Sequence, residues 1–207
     1  MIIKSTWMKK TLCGFFLGLL VSLSAFSMDI EGSLMMNAGA NIGALLPHFT
    51  GDDKIDNTLY FGGRLQADYL LTQYLSIGLE SGFSTAQIGN TDYSIGTIPV
   101  LARLAWHPFS FEKIDPYLVG KAGYGFGFWT NEGDNYPWTD ISGGFVWGVS
   151  LGTRFFFTEK IGIFIEAGYE CLDIGWEHPG MKLEKWEESV SARTFGIIGI
   201  TFKTGKR

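Results

Sequence analysis

The stretch Gly143-Gly144-Phe145-Val146-Trp147-Gly148-Val149-Ser150-Leu151-Gly152-Thr153-Arg154-Phe155-Phe156-Phe157 decides the fold, because its two alternating halves differ in kind. Odd positions supply Phe145, Trp147, Val149, Leu151, Thr153, Phe155 and Phe157; even positions supply Val146, Gly148, Ser150, Gly152, Arg154 and Phe156. A period of two sustained this long is a strand with one apolar face and one face of small and charged side chains.

Working outward, the same alternation recurs from Asp29 to the end of the chain, with Gly, Asn, Asp and Pro between segments. It predicts eight strands: Asp29–Ile42, Thr58–Leu71, Tyr74–Ile88, Ser94–Trp106, Asp115–Trp129, Gly143–Phe157, Ile161–Leu172 and Val190–Lys203. Strands of 12 to 15 residues exceed the five or six usual in soluble sheets and suit a tilted membrane crossing. Pro99 and Pro116 lie near strand ends, where a missing N–H is tolerated.

Across the eight strands one face carries no formal charge. The other collects Glu31, Arg64, Asp68, Glu80, Arg103, Lys121, Arg154, Glu166, Glu170 and Arg193, five acids and five bases. A soluble ligand-carrying barrel would turn the apolar face inward, whereas a membrane barrel turns it to lipid. Three features select the membrane. Tyr69, Trp106, Phe157 and Phe202 sit at one end of the uncharged face, and Phe61, Phe83, Phe128, Phe145 and Trp147 toward the other, as in interfacial girdles. The charged face is crowded with Gly62, Gly78, Gly82, Gly123, Gly125, Gly127, Gly148 and Gly152, as a narrow eight-stranded interior requires. Short connectors (Thr72-Gln73, Pro108–Ile114, Thr158–Lys160) alternate with long ones (Gly89–Tyr93, Thr130–Ser142, Asp173–Ser189), the pattern of periplasmic turns and outer loops. The reading is an all-β, antiparallel, up-and-down transmembrane barrel. A one-residue slip would turn the charged set to hydrocarbon at a cost on the order of 10 kcal/mol or more, which fixes the register.

Before the strands, Lys4, Lys9 and Lys10 flank an apolar run from Thr11 to Ser24 that ends in Ala25-Phe26-Ser27. This describes a secretory signal peptide, residues 1–27, with the barrel occupying 28–207; Met8 would also serve as a start. The run is too short to span as a helix. Residues 1–27 hold three lysines and no acid, so cleavage moves the net charge from −5 to −8. Cys171 then remains alone, and no intramolecular disulfide can form. The acidic balance disfavours nucleic acid as a partner.

Candidates for chemistry are few. The ten inward charges read as a pore constriction or as a sealed, self-neutralising core, and their zero sum favours the core. His48, His107 and His178 stand alone in loops; His48 or His178 could be cast as a rim lipid-modifying residue, yet solvated loop histidine is the simpler reading. Asp52 and Asp53 near His48 specify no metal geometry, and no cofactor motif occurs. Outward-facing Cys171 reads as a small apolar filler. The outer loops sum to −9, counting Asp140 and Asp173, and carry Trp138, Trp176 and Trp186, a composition that suits recognition.

Thr97-Ile98-Pro99-Val100-Leu101-Ala102-Arg103-Leu104, followed after a turn by Pro116-Tyr117-Leu118-Val119-Gly120-Lys121-Ala122-Gly123-Tyr124-Gly125, resembles the fourth and fifth strands of small outer-membrane barrels, the OmpW-like proteins and the wider outer-membrane β-barrel domain family. The resemblance implies an outer membrane of a diderm bacterium, export by the general secretory route, outer-membrane lipid and the barrel-assembly machinery as partners, and passage of small hydrophobic molecules. Members commonly end in an aromatic residue; here Phe202 is followed by Lys203-Thr204-Gly205-Lys206-Arg207.

The expected function is therefore a non-enzymatic outer-membrane barrel, structural or binding surface ligands through acidic loops. OmpW-like passage is the alternative, and a rim enzyme ranks last. Both termini are expected in the periplasm, with Asp53, Asp92, Asp134 and Lys185 outside. Counting from Thr158–Lys160 places Arg154 opposite Glu166; counting from Thr72-Gln73 places Arg64 near Glu80, with Arg103 arriving from the next strand. The lumen is expected to be closed by this layer, with space left only near Gly123, Gly125 and Gly127.

Overall fold

The computed structural model describes residues 32–46, 58–87, 93–109, 113–131, 138–174 and 191–204. They form eight strands: β1 (Leu34–Leu46), β2 (Thr58–Thr72), β3 (Leu75–Gln87), β4 (Tyr93–Trp106), β5 (Ile114–Asn131), β6 (Trp138–Phe156), β7 (Ile161–Ile174) and β8 (Ser191–Thr204). Each pairs antiparallel with its sequence neighbours, and β1 pairs with β8 from Leu34↔Thr204 to Leu46↔Ala192, closing the barrel. Closure leaves the wall without an edge strand, which a bilayer demands because it offers no hydrogen bonds to a free ladder.

The alternation sorts side chains as the two solvents require. Leu59, Phe61 and Phe157 point outward with 65–71% of their surface exposed, while Arg64, Arg154 and Glu166 point inward with at most 1%. Inward glycines serve the curvature of the wall. A Cβ on Gly62, Gly123 or Gly148 would run into the backbone carbonyl of Phe83, Val100 or Tyr169 on the adjoining strand, whereas outward Gly120 has nothing within 4 Å of that position.

Several strand ends and one register depart from the sequence reading. Strand β1 runs to Leu46 rather than Ile42, and its expected first residues, including Glu31, lie outside the described residues. Strands β5 and β6 continue pairing to Asn131↔Trp138, so Trp138 and Asp140 stand on β6, not in a loop. Asp173 likewise stands on β7. Beyond the bilayer both faces meet water, so a ladder can continue without the apolar alternation that betrays it. The turn after β6 is closed by Phe157 N–H donating to the Ile161 carbonyl (3.0 Å), with Thr158 Oγ1 accepting from Ile161 N–H (2.9 Å). That closure sets Arg154 across from Phe164 and Gly152 across from Glu166. The expected Arg154–Glu166 pairing is wrong by two residues, because a three-residue connector sets Phe157 across from Ile161 and so Arg154 across from Phe164, although both side chains point inward.

Candidate functional site

Nine of the ten inward charges fall within the described residues, and these meet in one layer across the lumen. Arg64 of β2 donates to Glu80 Oε1 of β3 (2.7 Å) and to Glu170 Oε2 of β7 (3.1 Å). Arg103 of β4 donates through Nε to Asp68 of β2 (3.1 Å), through Nη2 to Glu166 of β7 (3.1 Å), and through Nη1 to Glu80. Lys121 of β5 reaches Glu170 at 2.7 Å and Glu80 at 3.0 Å, with its Nζ 4.1 Å from the centre of the Phe195 ring. Arg193 of β8 donates to Glu170 (2.6 Å) and to Thr97 Oγ1 (2.9 Å).

Arg154 of β6, expected beside Glu166, turns instead to Asp68 and to Asp115 of β5, the latter at 3.0 Å. Glu166 takes its hydrogen bonds from Arg103, Ser150 (2.8 Å), Tyr117 (3.1 Å) and Gln66 (3.1 Å). Gln66 in turn accepts from Asn37 of β1 at 2.9 Å. All eight strands are thus tied through one polar network.

The chemistry of the layer follows from its burial. Every side chain in these carboxylate–Arg and carboxylate–Lys pairs has at most 2% of its surface exposed. A charge taken out of water is tolerated only when paired and hydrogen-bonded on all sides. The described interior holds five cations and, with Asp115, five carboxylates: Asp68, Glu80, Asp115, Glu166 and Glu170. Each carboxylate accepts from two or more groups on different parts of the wall, so the layer is neutral and cross-braced.

Sequence reasoning missed Asp115 and misplaced His107. Far from being a solvated loop residue, His107 is 1% exposed. Its Nδ1 lies 2.8 Å from Asp115 Oδ1 and its Nε2 lies 3.0 Å from Ser76 Oγ. Parity was the available signal: Leu101, Arg103 and Ala105 face inward, and His107 continues their row one step past β4, just as Asp115 begins the row of Tyr117, Val119 and Lys121. The order Ser–His–Asp is that of a nucleophile relay, but Ser76 has no exposed surface, so no substrate meets its Oγ. At this same end Met35, Leu70 and Phe156 pack into an apolar plug.

The other candidates separate. His48, His178, Asp52 and Asp53 lie outside the described residues. Among the described residues no group of His, Cys, Asp or Glu is arranged to hold a metal ion. Cys171 occupies an outward position opposite Trp147 and is buried.

Comparison with solved structures returns this architecture. Neisserial surface protein A shares 13% identity at a TM-score of 0.57, covering 84% of this chain and 98% of that one. OprG from Pseudomonas aeruginosa shares 13% at 0.53, covering 85% and 97%. Ail from Yersinia pestis, in complex with the heparin analogue sucrose octasulfate, shares 13% at 0.50, covering 84% and 100%. At such identities the likeness speaks for fold alone. No curated protein sequence matches the chain. The description of the outer membrane protein beta-barrel domain, however, matches residues 13–197, nearly the whole length, and the chain belongs to that outer-membrane family.

Proposed function

We propose that the protein is a non-enzymatic wall element of the outer membrane, with a sealed lumen and acidic outer loops that present a binding surface. The supporting observation is the ion-pair layer: ten buried charges from seven strands, summing to zero, occupy the lumen where a pore would need water. Selective pores bias one sign of charge along a wetted path; this interior does neither. The segments read as outer loops carry most of the acidic excess, which favours cationic partners and repels polyanions of the heparin type that Ail holds. In planar bilayers the refolded protein should show no sustained conductance. Conductance appearing only in Arg154→Ala or Glu166→Ala fits the layer as plug, and steady porin-like currents in the unaltered protein overturn it.

A second reading, passage of small hydrophobic molecules from an outer vestibule sideways into lipid, has one observation in its favour. The β3–β4 ladder runs Ser81↔Val100 and resumes at Ser84↔Thr97, leaving Gly82 and Phe83 unmatched against Ile98 and Pro99. Pro99 has no N–H to give, so the wall is unlaced there, on the loop side of the ion-pair layer. Restoring a donor with Pro99→Val should slow uptake of a hydrophobic solute by liposomes bearing the protein. Uptake equal to that of protein-free liposomes removes this reading.

A further inference from the structure

The break in the β3–β4 ladder is spanned on the lipid side of the wall. Strands β3 and β4 pair at Ser81↔Val100 and next at Ser84↔Thr97, with Pro99 between. On its other side β4 pairs with β5 without interruption from Tyr93↔Asn131 to Trp106↔Leu118. Opening this seam therefore means drawing β3 away from β4 and β5 together. Inside the barrel, Ser84 accepts from Asn41 of β1 (3.1 Å) and Thr97 accepts from Arg193 of β8 (2.9 Å). Neither bond crosses the seam.

Outside, the Phe83 ring of β3 stacks on the Phe128 ring of β5, with centroids 5.7 Å apart and planes 13° from parallel. Gly96 of β4 lies between the two strands, opposite Thr85 on one side and Phe128 on the other. It faces outward yet is buried, because the Phe128 ring covers it: a Cβ on Gly96 would run into Cε2 and Cζ of that ring. An aromatic ring laid over a strand glycine in this way replaces the packing that the missing side chain cannot give.

We infer that the Phe83–Phe128 stack is an aromatic strap across Gly96 that holds the unlaced seam shut and must part before the wall can open there. Two ladder pairs are missing where the strap crosses, and Pro99 cannot supply a donor. A stacked ring pair contributes beyond the area it buries, so the strap makes up part of what the ladder lacks. It ties β3 to β5, and β5 carries β4 with it through their continuous ladder. The strap rests on the unlaced seam of the passage reading, and it stands whether or not a solute crosses there.

The test is amide hydrogen exchange on the refolded barrel in lipid nanodiscs. Phe128→Leu keeps an apolar side chain but ends the stack. In it the amides of residues 81–84, Thr97, Ile98 and Val100 should exchange roughly three- to tenfold faster, with those of β7 and β8 unchanged. Gly96→Ala, which lifts the ring, and Phe83→Leu, which ends the stack from β3, should do the same, so the result does not hang on one variant refolding. Phe145→Leu removes an outward ring of β6, away from the seam, and should change nothing at these amides. In a Pro99→Val background, where the ladder regains a donor, Phe128→Leu should lose most of its effect. Unchanged exchange at the seam in the three strap variants overturns the strap, and so does an equal effect with and without Pro99. Liposome uptake of a hydrophobic solute separates the strap from passage: faster seam exchange with uptake equal to that of protein-free liposomes keeps the strap and removes the passage reading.

Discussion

On β4, Arg103 and Leu104 are adjacent in sequence and lie on opposite sides of the wall. Arg103 is buried and meets Asp68, Glu80 and Glu166; Leu104 leaves 53% of its surface to the bilayer. The pair shows that this barrel inverts the usual division of labour. Its outward face is generic, since any apolar side chain satisfies lipid, whereas its inward face is specific, since each charge has particular partners on particular strands. The two faces should therefore respond very differently to substitution.

The largest effect belongs to the inward face. Arg103→Ala strips a partner from three buried carboxylates and should lower stability by about 3–5 kcal/mol. Leu104→Ala removes only lipid contact, worth roughly half a kcal/mol on the insertion scale. Denaturant unfolding in lipid, followed by gel mobility, measures both. Adding Glu80→Gln to Arg103→Ala should recover part of the loss, because one orphaned charge goes with it. Equal losses at positions 103 and 104 would mean that the layer is wetter and more forgiving than its burial indicates.

The same contrast explains what could be read from the chain. Alternation shows which residues share a face, so Arg64, Arg103, Lys121, Arg154 and Arg193 group together without coordinates, and strand number and closure follow. Alternation does not show which inward residue meets which. Across Thr158–Lys160 the ladder sets Arg154 opposite Phe164, two residues from the expected Glu166, and its side chain meets Asp115, its ladder partner on β5, and Asp68 across the lumen, a partner that alternation alone does not give. It also fails where strands leave the bilayer: Trp138–Ser142 pairs with β5, yet both its faces suit water. His107 and Asp115 escaped for a related reason. Each lies at the margin of an apolar segment, next to a proline, where the sequence resembles a turn although the side chain still points into the barrel.

The subtlest consequence concerns glycine, which both faces use for different reasons. Gly148 faces inward on β6, and a Cβ there would meet the Tyr169 carbonyl and the Glu170 side chain on β7. Glu170 cannot yield, because Arg64, Lys121 and Arg193 hold it. Gly148→Ala should thus force the two strands apart, an overpacking cost of about 1–3 kcal/mol. Gly120 faces outward on β5 with open space around its missing Cβ. There Gly120→Ala restricts the unfolded chain without a clash and should stabilise by about 0.4–1 kcal/mol. The two substitutions are chemically identical and should differ in sign, so they can be compared in one denaturant titration. If both stabilise, the inward glycines are incidental and the wall can curve without them. If both destabilise, the outward face has packing demands of its own, and its description as generic is wrong.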